Sequence, residues 1–191
     1  MNLSFFFYTL IINDLPDVCR HAILKLFADD SKLYFRCTNF EDYKKLLGDL
    51  IQIFKWLENN QLGVAIEKCA VLHLGLTNPR REYEINGSKI PSVNSIRDIG
   101  IEVDQTMKFS NQCKSIAQRA NRLSNLFFLT FRSGDREFML NFFRIYVRPI
   151  LETATTVWNP YLMKDINIIE SVQRKFTKRV PGMFEKSYGE R

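Results

Sequence analysis

Histidine, cysteine, glycine and proline are all scarce in this chain of 191 residues, which holds two His, four Cys, eight Gly and six Pro. Cys19, Cys37, Cys69 and Cys113 are irregularly spaced, and neither His21 nor His73 falls at a zinc-ligand distance from a pair of them. Neither a zinc site nor a disulfide framework is implied. Four free thiols suit a reducing, intracellular compartment, cytoplasmic or nuclear, with burial in the core as their expected fate. Glycine and proline are too few for a linker-dominated protein. A long hydrophobic run is also lacking: Leu3 to Ile12 is ten residues of mostly aromatic and aliphatic character, too short to span a bilayer as a helix. No Lys or Arg precedes that run, and it passes straight into Asn13-Asp14-Leu15-Pro16 without a small-residue cleavage site. It reads as a buried helix segment rather than a signal peptide, and no membrane partner is expected.

What the chain does have is large apolar side chains and an uneven charge. Sixteen Phe, seven Tyr and two Trp within a 46% hydrophobic composition supply a core, so a folded protein of one or two small domains is expected. Residues 1–110 carry 13 Lys/Arg against 14 Asp/Glu, whereas residues 111–191 carry 14 against 7. The basic excess that gives the net charge of +6 therefore lies in the last 81 residues. Such an excess suits a polyanionic partner, the plain alternative being a solvated helix surface.

Periodicity divides the chain at the same place. Ala22–Phe27 and Lys32–Arg36 read as two strands joined at Ala28-Asp29-Asp30-Ser31. From Phe40 the apolar positions Phe40, Tyr43, Leu47, Leu50, Phe54 and Leu57 predict an amphipathic helix, capped by Asn39 and ended by Asn59-Asn60. Short strands are expected at Val64–Ile66 and Ala70–Leu74, a hairpin about Asn86-Gly87, and a strand carrying Ile99, Ile101 and Val103. After Phe109 the period becomes helical. Ser110 is the expected cap of a helix burying Ile116, Ala120, Leu123, Phe127 and Phe131, broken at Ser133-Gly134. Asp135 caps the next, with Phe138, Phe142, Ile145, Tyr146 and Val147 as its apolar positions before Pro149, and a last helix runs from Lys164-Asp165 to Pro181-Gly182. Trp56, Trp158 and the Phe-rich stripes fall at helical spacing and are read as core. The expected fold is α+β over residues 1–108 and all-helical over residues 109–191.

The feature that carries chemistry is Phe27-Ala28-Asp29-Asp30. Acidic residues are common in turns for conformational reasons alone. Two adjacent carboxylates on a strand–turn–strand support, with Leu26 and Phe27 lowering the local dielectric, are also what nucleotidyl transfer uses to hold magnesium. The neighbours decide between these readings. Ile12-Asn13-Asp14-Leu15-Pro16, Leu26 to Tyr34 around the Asp pair, Trp56-Leu57, Lys68-Cys69, Gly75, Arg97 to Asp104, Lys108-Phe109-Ser110, Tyr146 to Glu152, Val157 to Tyr161 and Ile169 to Arg179 resemble, in order and spacing, reverse transcriptases of non-LTR retrotransposons, particularly the jockey-like group.

That resemblance covers nearly the whole chain and implies a partial polymerase palm, an antiparallel sheet with packed helices, followed by a helical thumb. It makes Asp29 and Asp30 the Mg2+ ligands and catalytic pair, and it matches Lys68 to a lysine proposed in related polymerases to protonate the departing pyrophosphate. Ala65 stands where the family often has Asn. The strand region Arg97 to Asp104 corresponds to the part that positions the primer end. Arg174, Lys175, Lys178 and Arg179, at i, i+1, i+4 and i+5, form a basic face suited to the phosphates of an RNA template and DNA primer duplex. The family also has another metal-binding aspartate, fingers and a Pro-Gln-Gly-like segment upstream of the opening apolar run; none is in this sequence, so the chain is expected to be inactive by itself unless an upstream fragment complements it. Two alternatives stand beside that reading: a basic nucleic-acid-binding module without catalysis, and a structural remnant that self-associates through an exposed sheet edge.

Overall fold

The structure is a computed structural model, and it describes residues 10–75, 77–85, 87–131 and 135–190. It is a mixture of helix and small sheets, divided into two compact units, Met1–Asn94 and Ser95–Arg191. The division precedes the change of period, so the hairpin over residues 95–104 belongs with the helices that follow it.

In the first unit, β1 (Ile23–Phe27) and β2 (Asp30–Tyr34) form an antiparallel pair in which Leu24 faces Leu33 and Phe27 faces Asp30. The strand pair was expected with a longer turn and two residues later on its second arm. Only Ala28 and Asp29 remain in the turn, and Ala28 adopts φ 54° to close it. Helix α1 (Phe40–Asn59) starts where Asn39 accepts the N–H of Asp42 at 2.8 Å and stops at the expected asparagines. Its buried line is Asp49, Ile53 and Leu57 rather than one beginning at Phe40, which is half exposed. Ile53 and Leu57 pack with Ile12, Leu15 and Leu24, and Trp56 and Leu26 border that core. Leu10 to Ile12 are helical and Ile12 is buried; the rest of the opening apolar run lies outside the described residues.

Beyond α1 the expected strands shrink. Val64–Ile66 is not a strand, because residues Ile66–Lys68 wind into a 3-10 turn closed by the Lys68 N–H on Ala65 O at 2.9 Å. Of Ala70–Leu74 only β3 (Val71–Leu72) pairs, parallel to β6 (Ser92–Val93). The hairpin of β4 (Tyr83–Ile85) and β5 (Ser88–Ile90) forms as expected, with Gly87 at φ 77°, while Asn86 lies outside the described residues. The single palm-like sheet is therefore absent among the described residues, replaced by four two-stranded ladders. In the ladders β3–β6 and β4–β5, two or three residues per strand leave too few ladder bonds to recruit a further strand.

The second unit begins with β7 (Ser95–Asp98) and β8 (Ile101–Asp104), joined by Ile99 (φ 45°) and Gly100 (φ 83°). Both central residues have positive φ, which is the requirement of a type I′ turn, so Ile99 lies in the turn and not in the expected strand. Helix α2 (Ser110–Thr130) buries Cys113, Ile116, Ala117, Ala120 and Phe127. Ser110 is its first residue and not its cap; Phe109 takes that place at φ 57°. Helix α3 (Arg136–Phe142) is capped by Asp135, which accepts the Glu137 N–H at 3.1 Å; the expected break at Ser133-Gly134 lies outside the described residues.

A π-helical turn, Phe143–Val147, then leads into α4 (Arg148–Glu152) with Pro149 in its first turn. Proline has no N–H and its ring would strike the carbonyl four residues back, so the wider turn absorbs it. The extra residue rotates the buried face. Met139, Phe143, Val147 and Leu151 are inside, whereas the expected Phe138, Ile145 and Tyr146 are exposed. After α5 (Thr155–Trp158), α6 (Met163–Thr177) packs Val172 and Phe176 against α2. It ends four residues before Pro181, and successive tight bonds, Arg179 N–H to Phe176 O and Val180 N–H to Thr177 O, carry the chain onward. Trp158 is 1% exposed and donates its ring N–H to Thr153 O at 2.8 Å, in agreement with its reading as core.

Candidate functional site

The carboxylate turn is fixed from behind. Asp49, in the middle of α1, is 3% exposed and accepts the backbone N–H groups of Arg20, His21 and Ala22 at 3.1, 2.8 and 2.6 Å. Burial pushes its carboxyl up, but those amides and the nearby His21 outweigh it and hold Asp49 below the usual carboxylate range. The three amides belong to the segment that leads directly into β1. An ionised side chain on α1 thus sets where the hairpin begins, and with it the register that places Asp29 at the tip.

Asp29 and Asp30 are both exposed, and neither makes a side-chain hydrogen bond or ion pair among the described residues. Period-two alternation puts Asp30 on the outward face with Lys32 and Tyr34, opposite Lys25 and Phe27, while Leu24, Leu26 and Leu33 face the core. Phe27 is 59% exposed, so the expected lowering of the local dielectric by the apolar flanks does not hold in this chain. Among the described residues no group of three or more His, Cys, Asp or Glu could hold a metal ion. Two exposed carboxylates suit a magnesium ion that keeps most of its water. They do not suit a two-ion catalytic centre, which needs carboxylates from more than one segment to bridge the ions. Lys68 sits exposed in its own 3-10 turn, and no hydrogen bond among the described residues joins it to the Asp pair.

The four basic residues lie in the second unit, and the structure separates them into rows. Arg174 and Lys175 are on the last turn of α6, Lys178 is its C-cap, and Arg179 follows it. Cations at this end also complement the partial negative charge of the helix C-terminus. Arg179 stacks its guanidinium 3.8 Å from the centroid of the Phe128 ring and donates to Asn125 Oδ1 at 3.0 Å. With Lys175 it lines an open groove of about 220 Å3 between α2 and α6, whose other wall is Asn121, Ser124, Asn125 and Phe128. Arg174 faces elsewhere. Its guanidinium lies 4.6 Å from the centroid of Tyr188, whose hydroxyl donates to Glu170.

The sequence reading missed the α2 wall of that groove. Asn121, Asn125 and Phe128 recur at i, i+4 and i+7, a row visible once polar residues are counted alongside charged ones. It also missed a cleft of about 250 Å3 between the β7–β8 hairpin and α2, where Arg97 and Arg119 share the lining with Glu102, Gln112 and Ser115. Gln112 is buried and accepts the Glu102 N–H at 2.9 Å, which ties hairpin to helix. Asp49 was missed as well. Its signal was an acidic residue in the apolar line of α1, next to Leu50 and four residues before Ile53.

Comparison with protein-family models, with curated proteins and with solved structures gives no match to this chain. No helix among the described residues is long and apolar enough to cross a membrane.

Proposed function

We propose that this chain is a palm and thumb portion of a non-LTR retrotransposon reverse transcriptase, able to hold a polyanionic duplex but not to polymerise by itself. The observation that carries the reading is the tight β1–β2 hairpin with Asp29 at its tip and Asp30 beside it, anchored through Asp49. A rigid hairpin presenting two adjacent carboxylates is the support that metal-assisted phosphoryl chemistry uses. The inability to polymerise follows from the donor set, since no third metal-ligating side chain clusters with the pair among the described residues. In this role Lys175 and Arg179 contact phosphates, and Lys68 has no part in proton transfer in the chain as it stands.

The test is paramagnetic broadening by Mn2+, a stand-in for magnesium, in amide NMR spectra of the purified chain. Broadening is expected to centre on residues 28–31 and to disappear in Asp29→Asn/Asp30→Asn. Broadening spread evenly over exposed acidic residues would remove the support for the turn as a metal site. Homopolymer-templated DNA synthesis by the same chain, lost in Asp29→Ala, would overturn the claim that it is inactive alone.

A further inference from the structure

Three contacts of different kinds fix Arg179 at the edge of the groove between α2 and α6. Its backbone is set by the tight bond from its own N–H to Phe176 O at 3.0 Å and by the next residue, Val180, which is buried in the core of the second unit. One face of its guanidinium lies against Phe128, 3.8 Å from the ring centroid. Asn125, one turn earlier on α2, accepts from Nη1 at 3.0 Å. Phe128 is itself wedged against Phe127 and Phe176, with ring centroids 5.3 and 4.9 Å away, so the platform under the guanidinium is continuous with the core.

These contacts hold the guanidinium without using it up. Stacking covers a face and leaves the edges open, because the N–H groups lie in the plane. Asn125 takes one N–H of Nη1, and Arg179 makes no other side-chain hydrogen bond or ion pair among the described residues. The edge formed by Nε and Nη2 therefore remains for two oxygens of one phosphate. No carboxylate lines this groove, in contrast to the cleft beside Glu102. Lys175, four residues before Arg179, lines it too and has no hydrogen bond or ion pair of its side chain among the described residues.

We infer that Asn125 and Phe128 are positioning residues for phosphate binding: they hold the Arg179 guanidinium in one orientation, so that a phosphate meets a preformed pair of N–H groups. The inference rests on the proposed duplex-binding role of Lys175 and Arg179, and it names the α2 residues that make one of those contacts specific in geometry. A free arginine gives up rotamer freedom when it binds, whereas one already held by the fold has given it up on folding, and the difference appears as affinity. The effect runs through Arg179. Without that side chain, neither Asn125 nor Phe128 has a cation to orient.

The experiment is fluorescence anisotropy of a labelled RNA–DNA hybrid duplex titrated with the full chain across a salt series. Circular dichroism and the fluorescence of Trp158 verify the fold of each variant. Arg179→Ala is expected to weaken binding about tenfold and to make the salt dependence shallower by about one phosphate contact. Asn125→Ala and Phe128→Leu keep the charge, so each is expected to weaken binding about twofold to fourfold with the salt slope unchanged, while Phe128→Tyr, which keeps a ring, binds as wild type. In the Arg179→Ala background Asn125→Ala is expected to have no further effect. A loss that persists there overturns the inference, because Asn125 would then act on the duplex or the fold directly; so does wild-type affinity in both Asn125→Ala and Phe128→Leu. Positioning is also read without duplex, by NMR: the Arg179 Nε–H resonance is expected to carry a ring-current shift that Phe128→Leu removes, and its absence in wild type overturns the inference while leaving the face untouched. The underlying role has its own control in Lys175→Ala/Arg179→Ala, where binding equal to wild type rejects the face itself.

Discussion

Replacing Asp49 tests whether one buried carboxylate holds the β1–β2 hairpin in place. Asp49 accepts three backbone N–H groups between 2.6 and 3.1 Å, and hydrogen bonds to a charged acceptor contribute about 1.5–3 kcal/mol each before reorganisation. Arg20 and His21 are exposed, so water replaces the carboxylate at their amides, whereas the Ala22 amide is buried and is left without an acceptor. Asp49→Ala is therefore expected to cost about 3–5 kcal/mol, a large share of the stability of any small domain. Asp49→Asn keeps one oxygen and the shape, and is expected to cost about half as much. The pH dependence has a definite sign. The folded carboxyl sits below its ordinary value, so its contribution is complete above about pH 5 and is lost as pH falls through the unfolded and then the folded pKa. The assay is urea unfolding followed by Trp56, which borders this core, in a Trp158→Phe background, between pH 7 and pH 2. A loss under about 1 kcal/mol for Asp49→Ala would refute the anchoring argument. So would an acid limb in Asp49→Asn as steep as that of wild type.

Three further outcomes follow from local geometry. Ile99 holds φ 45°, a region that costs a β-branched residue about 1–2 kcal/mol, so Ile99→Asn is expected to stabilise the second unit by about 1 kcal/mol in urea unfolding. His73 is buried, with Ser92 Oγ 3.3 Å from its Nε2; burial and then Arg80 lower its pKa. The unfolded chain therefore takes up this proton first, stability falls as pH drops below about 6.5, and His73→Gln is expected to flatten that slope in urea titrations. Cys113 is fully buried, and burial together with Asp165 pushes its thiol up to about 11. It is expected to resist a disulfide-exchange reagent at pH 8 until the chain is unfolded, while the half-buried Cys37 reacts in the native state.

Helix α1 was legible because its signals are local. Asn39 reaches Asp42 three residues on, and Asn59-Asn60 follow the last apolar position. The hairpin around Asp29 was legible for the same reason, since period-two alternation flanks two turn residues. Ile99 misled because its own alternation with Ile101 and Val103 favours a strand. Gly100 and the pairing of Asp98 with Ile101 impose a type I′ turn on it instead. In α3 itself Met139, not Phe138, is the inward residue, and beyond it the residue added in the π turn puts Phe143 and Val147 inside and turns Ile145 and Tyr146 outward, an effect of Pro149 that period counting does not contain. Of the candidate site, the Asp pair and the basic row were readable as residue types. Which cations share a groove was not, because Asn125 and Phe128 lie some 50 residues from Arg179, and Tyr188 reaches Arg174 only through the fold-back of the last turn.

The acidic residues of this chain separate into two uses, and the separation bears on function. Asp49 fastens the approach to β1, and Asp104 does the same before α2. Asp104 accepts from the Thr106 hydroxyl and amide; against the upward push of partial burial, these bonds, with the nearby amides of Lys108 and Phe109, hold it below the usual range. Asp165, 1% exposed, accepts the Ser110 hydroxyl at 2.6 Å and so links the start of α6 to that of α2. Asp49 and Asp104 are consumed by the backbone and hydroxyl donors around them, whereas Asp165 is satisfied at one oxygen only and keeps its Oδ1 buried without a hydrogen-bond partner among the described residues. Asp29 and Asp30 are adjacent, exposed and unbonded to any described side chain. Two like charges held together on a rigid tip repel each other, and a divalent cation relieves that repulsion more completely than water does. With a buried acid beneath and an unbonded acidic pair above, Asp49→Asn is expected to loosen the hairpin and, as a consequence, to weaken Mn2+ broadening at residues 28–31 without touching Asp29 or Asp30.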